Sequence, residues 1–499
     1  MNYCDFLFGA REEWHDHPAL IDVGADRRYT YRELQGAVRA LGNHLRDAGF
    51  GPGDVITTHL YNSAEAVIAH LAIQYAGCVT CLLDPLIPPR SLSYYLLDTQ
   101  TRCLMTHVRD DLLKNELPGS VQIMDAADIQ RSSVSSQKDY AIKHPVEFDP
   151  DALAAIFYTS GTTGRPKGVM LSPKTFYSHF KIFTRGCYTY VPEDKLLCFV
   201  PFSHGYGSKS IFIPCLHAGA TMVIMRSFQP YKVAEVIEKE KITHIFGVPS
   251  HYQQLLRREE LIAPLKKLKA AFSAAALLKL ETARSWKEQV GFCLDEGYGL
   301  IETCTGVAFR RAKMPDRLGN VGTYPEDLVD IEIVDDDFTF LPPDERGEIV
   351  VRGDSVMMGY LNKPRETARV LQNGWFRTGD MGYKTEAGDI VLTGRIKDVI
   401  NVAGIKVAPF EIEAALNEHP TVSESAVIGV EDEIYGEVVR AFVKAQPGAK
   451  KDERELVRFL QKRLMNFQVP KRIVFVDAFP RNNMGKIDKK ALRTHTVPA

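Results

Sequence analysis

No stretch of this chain is apolar for long enough to cross a bilayer. The most hydrophobic run, 66-AVIAHLAIQYAGCVTCLL-83, is interrupted by His70 and Gln74 and predicts a buried helix followed by a strand. A basic excess is missing too. The 61 Lys and Arg face 63 Asp and Glu, a formal net charge of −2, which argues against a protein that coats nucleic acid or an anionic membrane. Any polyanionic partner is expected to be small and held at a local site. The N-terminal MNYCDFLFGAREEW is acidic as early as Asp5, unlike a signal peptide, and the tail HTVPA carries no common targeting signal. Internal repeats and low-complexity tracts are absent. The nine Cys are odd in number and scattered, which predicts reduced thiols and a cytoplasmic protein. Cys78 and Cys81 form a C-x-x-C, but with no second pair and no His at ligand spacing they read as packing residues.

What is present has the balance of a globular chain, 45% hydrophobic and 25% charged over 499 residues, long enough for about two to four domains. Leu34, Val38, Leu41 and Leu45 recur at helical spacing, and a strand follows from Asp54. This is α/β patterning, and it resumes from Asp151 to about Gly306 after a polar segment, 130–149, that reads as a surface connection. Strand-rich sequence follows, as in Asp330-Ile-Glu-Ile-Val and Gly347-Glu-Ile-Val-Val-Arg. Past Lys397 short helices (Pro409 to Leu416; Asp452 to Leu464, with Asp452 and Glu455 placed as a capping box) mix with strands (from Ser425, from Val438, from Arg472). The expected architecture is α/β: a large N-terminal domain, 1–396, made of α/β subdomains and a β-rich one, and a small α+β domain, 397–499.

The stretch 157-FYTSGTTGRPKGVMLS-172 has the composition of a phosphate-holding loop. Gly161 and Gly164 let backbone N–H groups turn toward an anion. Ser160, Thr162 and Thr163 donate hydroxyl bonds, and Lys167 brings charge. It lacks G-x-x-x-x-G-K-[ST], because Pro166 stands where the second Gly would be, so no lysine is locked over a terminal phosphate.

The full string T-S-G-T-T-G-R-P-K-G, from Thr159, resembles the signature of the adenylate-forming superfamily: acyl-CoA synthetases, peptide-synthetase adenylation domains and firefly luciferase. Further segments carry the resemblance in order, over roughly Thr30 to Arg493. Tyr298-Gly-Leu-Ile-Glu302-Thr is similar to Y-G-x-T-E. The resemblance implies that Tyr298 packs on adenine, that Glu302 helps hold Mg²⁺, and that Glu296 approaches the adenine amino group. Ile301 replaces the usual Thr, removing a hydroxyl expected near the α-phosphate; Thr303 follows it. In 374-GWFRTGDMG-382 the resemblance makes Asp380 the ribose ligand. In 391-VLTGRIKDVINVAGIKVAPFEIE-413 it makes Arg395 a ribose or α-phosphate contact and Lys397 the hinge of a mobile C-terminal domain; Lys at that hinge is a feature of the 4-coumarate–CoA ligase branch. Ala403-Gly404 replaces the usual Gly-Gly along the pantetheine tunnel. In 480-PRNNMGKIDKKALR-493, Lys486 is implied as the catalytic lysine bridging the acid and the α-phosphate; alone, a Gly-Lys in a basic tail would read as a solvated surface feature.

The acid pocket is expected in 201-PFSHGYGSKS-210. His204 falls at the gate position, with a buried, satisfied histidine as its other reading. Tyr206 falls at a pocket position, and Ser273, Ala274, Ala275, Gly297, Thr305 and Gly306 complete the walls. These are small or polar and predict an aromatic or short- to medium-chain acid. An amino-acid adenylation domain would place an Asp near the start of this segment, where Phe202, Ser203 and His204 stand. The expected enzyme is an AMP-forming acyl- or aryl-CoA ligase using ATP, Mg²⁺ and CoA. The alternative is an acyl-AMP ligase that loads a separate carrier protein.

Overall fold

The computed structural model describes residues 3–8, 12–108, 117, 121–134, 146–159, 166–403, 405–432, 434–481 and 487–493. By internal contacts the chain divides into two units: Met1–Met314 with Val321–Ile331 and Val351–Phe376, and Pro315–Asn320 with Glu332–Val350 and Arg377–Ala499.

In the first unit the helix Tyr31–Asp47 follows from its pattern. Thr30 caps it by accepting from the Glu33 N–H, while the Glu33 carboxylate accepts from the Thr30 N–H, satisfying two donors that a helix start leaves open. Leu34, Val38, Leu41 and Leu45 face the core. The run at 66–83 becomes the helix Ala64–Tyr75, capped by Ser63, and the strand Val79–Leu82. The sulfurs of Cys78 and Cys81 are fully buried, and burial pushes both thiols up to about 12. The segment 130–149 is not wholly a connection. Its first residues, 130–134, close the helix Ala126–Val134, which Ile129, just ahead of the segment, anchors at 0% exposure. Residues 135–145 lie outside the described ones.

Among the described residues two mostly parallel sheets build this unit. One has seven strands, with Ala155–Thr159 beside Val79–Leu82 and, antiparallel, Lys167–Leu171. The other has eight, running from Thr305–Arg310 through Asp295–Leu300, Ala270–Ser273 and His244–Gly247 to Lys195–Cys198 and beyond. The expected phosphate loop, the 201–210 segment and Ser273 all follow the carboxyl ends of parallel strands, where open α/β sheets bind ligands.

The second unit holds, from Arg377 on, the hairpin of Trp375–Lys384 and Ile390–Arg395 and a five-stranded sheet in which Val422–Asp432, Gly436–Ala445 and Arg472–Phe475 lie side by side. The helices Pro409–Asn417 and Glu453–Gln461 cover that sheet through Ile412, Leu416, Leu456 and Leu460. Asp452 caps the latter by accepting from the Glu455 N–H. Phe442, Phe479 and Leu492 belong to a core cluster with Ala426 and Ile428.

Candidate active site

Thr159 and Lys167 are paired across antiparallel strands, on either side of the glycine-rich segment. Ser160, Gly161, Thr162, Thr163 and Gly164, expected in the phosphate loop, lie outside the described residues, as do Gly404 and Lys486. The Lys167 ammonium lies 4.9 Å from the centre of the Tyr360 ring, and the Tyr360 hydroxyl donates to Glu302 Oε1 at 2.9 Å. Burial and the Glu302 charge raise the Tyr360 phenol, so it stays a donor. The Glu302 carbonyl accepts from the Met357 N–H at 2.8 Å, which fixes the turn that carries it. Tyr360 thus joins two expected site residues far apart in sequence. Nothing in the sequence marked it; it stands in the short strand Gly359–Tyr360, which pairs with Lys167–Leu171.

Tyr298 lies on the strand Asp295–Leu300, largely buried. Glu296, two residues earlier, is spent within the protein: Oε2 accepts from Arg310 at 2.8 Å and Oε1 from the Leu278 N–H at 3.1 Å. Burial raises its carboxyl and Arg310 opposes that. An adenine amino group would have to use a second lone pair of these oxygens. Thr303 does not stand in for the hydroxyl lost at Ile301. Its Oγ1 is bound to the Leu300 and Thr305 carbonyls, at 3.1 and 2.8 Å, inside the turn.

The acid segment is fixed by a residue absent from the sequence expectations. Asn62 accepts from the Phe202 N–H at 2.9 Å and donates to the Val200 carbonyl at 2.8 Å. His204 is half-buried, and its Nδ1 accepts from the Tyr206 N–H at 3.2 Å. A π-helical turn, Tyr206–Phe212, follows, a form that often marks functional sites. Tyr206 is buried and its hydroxyl faces backbone carbonyls of Phe272 and Gly247, at 3.0 and 3.2 Å. Ser273, Gly297, Thr305 and Gly306 do come together, on neighbouring strands in which Ser273 pairs with Glu296 and Gly299 with Gly306. Ala274 and Ala275 follow Ser273 and are partly buried. The two glycines do not open empty space. A Cβ at Gly297 would lie 2.5 Å from the Phe272 ring, and one at Gly306 2.7 Å from the Phe309 ring. Those rings, not flagged by the sequence, occupy the space that a side chain at either glycine would need.

Lys209, also unanticipated, is fully buried, its ammonium 3.6 Å from the Phe176 ring centre. Burial lowers its pKa from an ordinary 10.5 to about 7, with Cys304 opposing. In the folded state it gives up its proton near neutrality, while in the unfolded chain it holds it to about pH 10. Between those values the unfolded state binds more protons, so stability rises with pH. Lys209→Met is expected to abolish this rise: denaturant midpoints at pH 7 and pH 9.5 should differ less in the variant than in wild type. An unchanged pH slope would overturn the assignment.

In the second unit Asp380 and Arg395 sit opposite each other across the hairpin, Arg395 Nε 2.8 Å from Asp380 Oδ1. The Asp is buried and the Arg exposed, so the pair presents a carboxylate and a guanidinium side by side. Lys397 lies in the next turn, Ile396–Asp398. Desolvation lowers its pKa, and Arg395 and Lys490 add repulsion. Ala403 has φ 51°, left-handed backbone that an alanine rarely adopts; this is why Gly suits the position.

Residues 8–361 match the profile described as AMP-binding enzyme, and 411–486 that of the AMP-binding enzyme C-terminal domain. The chain belongs to the AMP-binding enzyme family. Within it, the long-chain-fatty-acid–CoA ligase of Bacillus subtilis is 32% identical over 93% of this chain and 90% of its own length. The 4-coumarate–CoA ligase 2 of Solanum tuberosum is also 32% identical, over 99% and 93%. The ATP-bound crystal structure of MatB from Rhodopseudomonas palustris superposes with a TM-score of 0.91 at 30% identity, covering 99% of this chain and 98% of that one. Membership accounts for the run of motifs, and the adenylate-forming α/β fold with its α+β C-terminal part is the family's.

Proposed function

We propose that the protein is an AMP-forming acid–thiol ligase that activates a small carboxylic acid with ATP and transfers the acyl group to CoA. The observation that carries this reading is the chain of contacts from Lys167 through Tyr360 to Glu302, set beside the glycine-rich segment in a member of the AMP-binding family. The acid's carboxylate attacks the α-phosphate, giving an acyl adenylate and pyrophosphate. The CoA thiol then attacks the mixed anhydride and AMP leaves. Glu302, a carboxylate held in a fixed turn, fits a hard cation that prefers oxygen ligands, and Mg²⁺ bound there would neutralise phosphate charge. Thr159, the 160–164 segment and Lys167 hold the phosphates; Tyr298 and the strand around Glu296 and Gly297 flank the base. Asp380 accepts from the ribose hydroxyls, with Arg395 oriented by it. Lys486 meets the acid and the α-phosphate, and Lys397 serves as hinge between domains 1–396 and 397–499. His204 closes the carboxylate end of the acid site. Loading of a carrier protein finds no counterpart in the two relatives above, both named as CoA ligases. Among the described residues no helix is long and apolar enough to cross a membrane; the nine free thiols support a cytoplasmic location.

Two relatives at the same identity are named for a long-chain fatty acid and for 4-coumarate, so their names do not choose the acid. The Phe272 and Phe309 rings favour a short one. A panel of acids assayed for AMP release, with and without CoA, tests the reading. With a good acid, CoA should yield the thioester and raise turnover well above acid and ATP alone. Chains of about sixteen carbons should reach under ~1% of the best short acid, because a packed wall resists extra methylenes. Acylation of a carrier protein but not of CoA would remove the ligase reading. A preference for the long chains would remove the short-pocket reading alone.

A further inference from the structure

On the ligase reading Thr305 and the segment that ends at Ser210 line the acid site, and they carry a buried polar cluster. Thr305 begins the strand that closes the eight-stranded sheet. Its Oγ1 lies 2.7 Å from Ser210 Oγ and 2.9 Å from His179 Nε2, and Ser210 Oγ lies 3.4 Å from the same nitrogen. All three residues are buried. They come from three elements: the strand Thr305–Arg310, the π-helical turn that also carries Tyr206, and the helix Pro173–Gly186. Ser210 is one turn beyond Tyr206, so on that reading the cluster lies past the end where His204 meets the carboxylate.

This arrangement is held against strain. Thr305 has φ 104°, a left-handed backbone that a β-branched residue avoids. Its neighbours are cut away to admit it. A Cβ at Gly299 would lie 1.7 Å from the Thr305 carbonyl oxygen, and one at Gly205 2.6 Å from Thr305 Cγ2. Thr303 Oγ1 donates to the same carbonyl at 2.8 Å. Strained residues over-determined by their surroundings gather at ligand sites. The imidazole of His179 is kept neutral: burial, then the nearby Lys209 charge, push it down to about 3, with the Gly306 carbonyl opposing. A neutral ring has one donor and one acceptor, and two hydroxyls have two rotatable donors and four lone pairs, more capacity than the mutual bonds consume. A plain hydrocarbon chain laid on this wall would desolvate it without using that capacity.

We propose that the acid activated here is short and carries a second oxygen group, a few bonds beyond the reacting carboxylate, which Ser210, Thr305 and His179 receive by hydrogen bonding. The inference rests on the ligase reading and specifies its substrate class. The hydroxyls of Ser210 and Thr305 turn from each other to the incoming oxygen, and the imidazole holds Thr305 in place. Phe272 and Phe309 limit how far the chain can extend before that oxygen meets the wall.

Acids of one length separate the cases: butanoate, 3-hydroxybutanoate and butanedioate, each assayed with ATP and CoA for AMP and thioester. An oxygen-bearing acid is expected to exceed butanoate by about 10²-fold or more in kcat/KM, since sites built to hydrogen-bond a substrate group reject the analogue lacking it. Butanedioate leading would assign a second carboxylate, 3-hydroxybutanoate leading a hydroxyl. Ser210→Ala and Thr305→Val should each reduce that preference at least ~10-fold, through KM for the acid and not KM for ATP, while Thr305→Ser keeps it. Thermal shifts induced by each acid report binding independently of turnover. Butanoate performing as well as the other two, or the preference surviving both variants, would overturn the proposal while leaving the ligase reading intact. No AMP from any acid, including a wider panel, would overturn the ligase reading and this inference with it.

Discussion

Lys486→Ala should lower the rate of acyl-adenylate formation ~10²-fold to 10³-fold, the usual loss when one preorganised electrostatic contact to a transition state is removed, and nearly spare thioester formation from a supplied acyl adenylate. The asymmetry follows from when charge moves. In the first half-reaction a carboxylate and an α-phosphate, both anionic, are forced together, and an ammonium between them counts most in the transition state, so it affects rate more than ground-state binding. In the second, the anion repulsion is gone. A hinge at Lys397 that turns the C-terminal domain would carry the lysine away and expose another face of that domain, a rigid-body step. Residues 481 and 487 pair antiparallel on either side of 482–486, and Arg481 is bound to Glu424, so alanine at 486 leaves that base intact. Lys397→Pro should show the opposite bias, because a fixed φ and a restricted preceding residue stiffen the turn that follows Arg395. Both half-reactions are measured separately on both variants. Equal slowing of the two halves by Lys486→Ala would remove the two-pose mechanism.

Elements with local signatures were legible in the sequence. The helical spacing of Leu34, Val38, Leu41 and Leu45, the alternation of helix and strand through the first three hundred residues, and Asp452 as a helix cap all act within a few residues, and all stand in the structure. The motif strings named Asp380 and Arg395 separately, and the hairpin's register is what sets them opposite each other. What escaped were contacts that depend on tertiary approach. Asn62 tying the acid segment to the first α/β layer, Tyr360 on Glu302, and His179 on Thr305 join residues 140, 58 and 126 positions apart, and no periodicity marks them. The pocket walls show the limit in another form. Gly297 and Gly306 read as open space, whereas the rings of Phe272 and Phe309 occupy it. A glycine in a strand signals close approach by something, and the sequence does not say whether that is a ligand or a side chain. Likewise a lysine between two serines gives no hint that it is fully buried; burial is a property of the π-helical turn and the helix packed on it.

Glu302→Gln should weaken Mg²⁺-dependent ATP binding roughly 10-fold and slow adenylation ~10²-fold to 10³-fold, magnitudes typical of removing one charged group aimed at developing phosphate charge. The substitution isolates charge from shape. The backbone of residue 302 is held by the Met357 N–H, and a glutamine carbonyl can still accept from the Tyr360 hydroxyl. What disappears is the negative charge, which matters because a small hard cation prefers carboxylate to amide oxygen. Calorimetric titration of ATP with and without Mg²⁺ separates the two contributions: the variant should match wild type without the metal and fall behind with it. Tyr360→Phe makes the complementary change. It keeps the charge and removes the hydroxyl that orients it, so its rate should fall only about 10-fold, the lower range for one hydrogen bond to a charged acceptor. If Glu302→Gln binds ATP with the wild-type response to Mg²⁺, the carboxylate does not serve the metal, and the Lys167–Tyr360–Glu302 chain is then a brace for the strand Lys167–Leu171 and not part of the phosphate site.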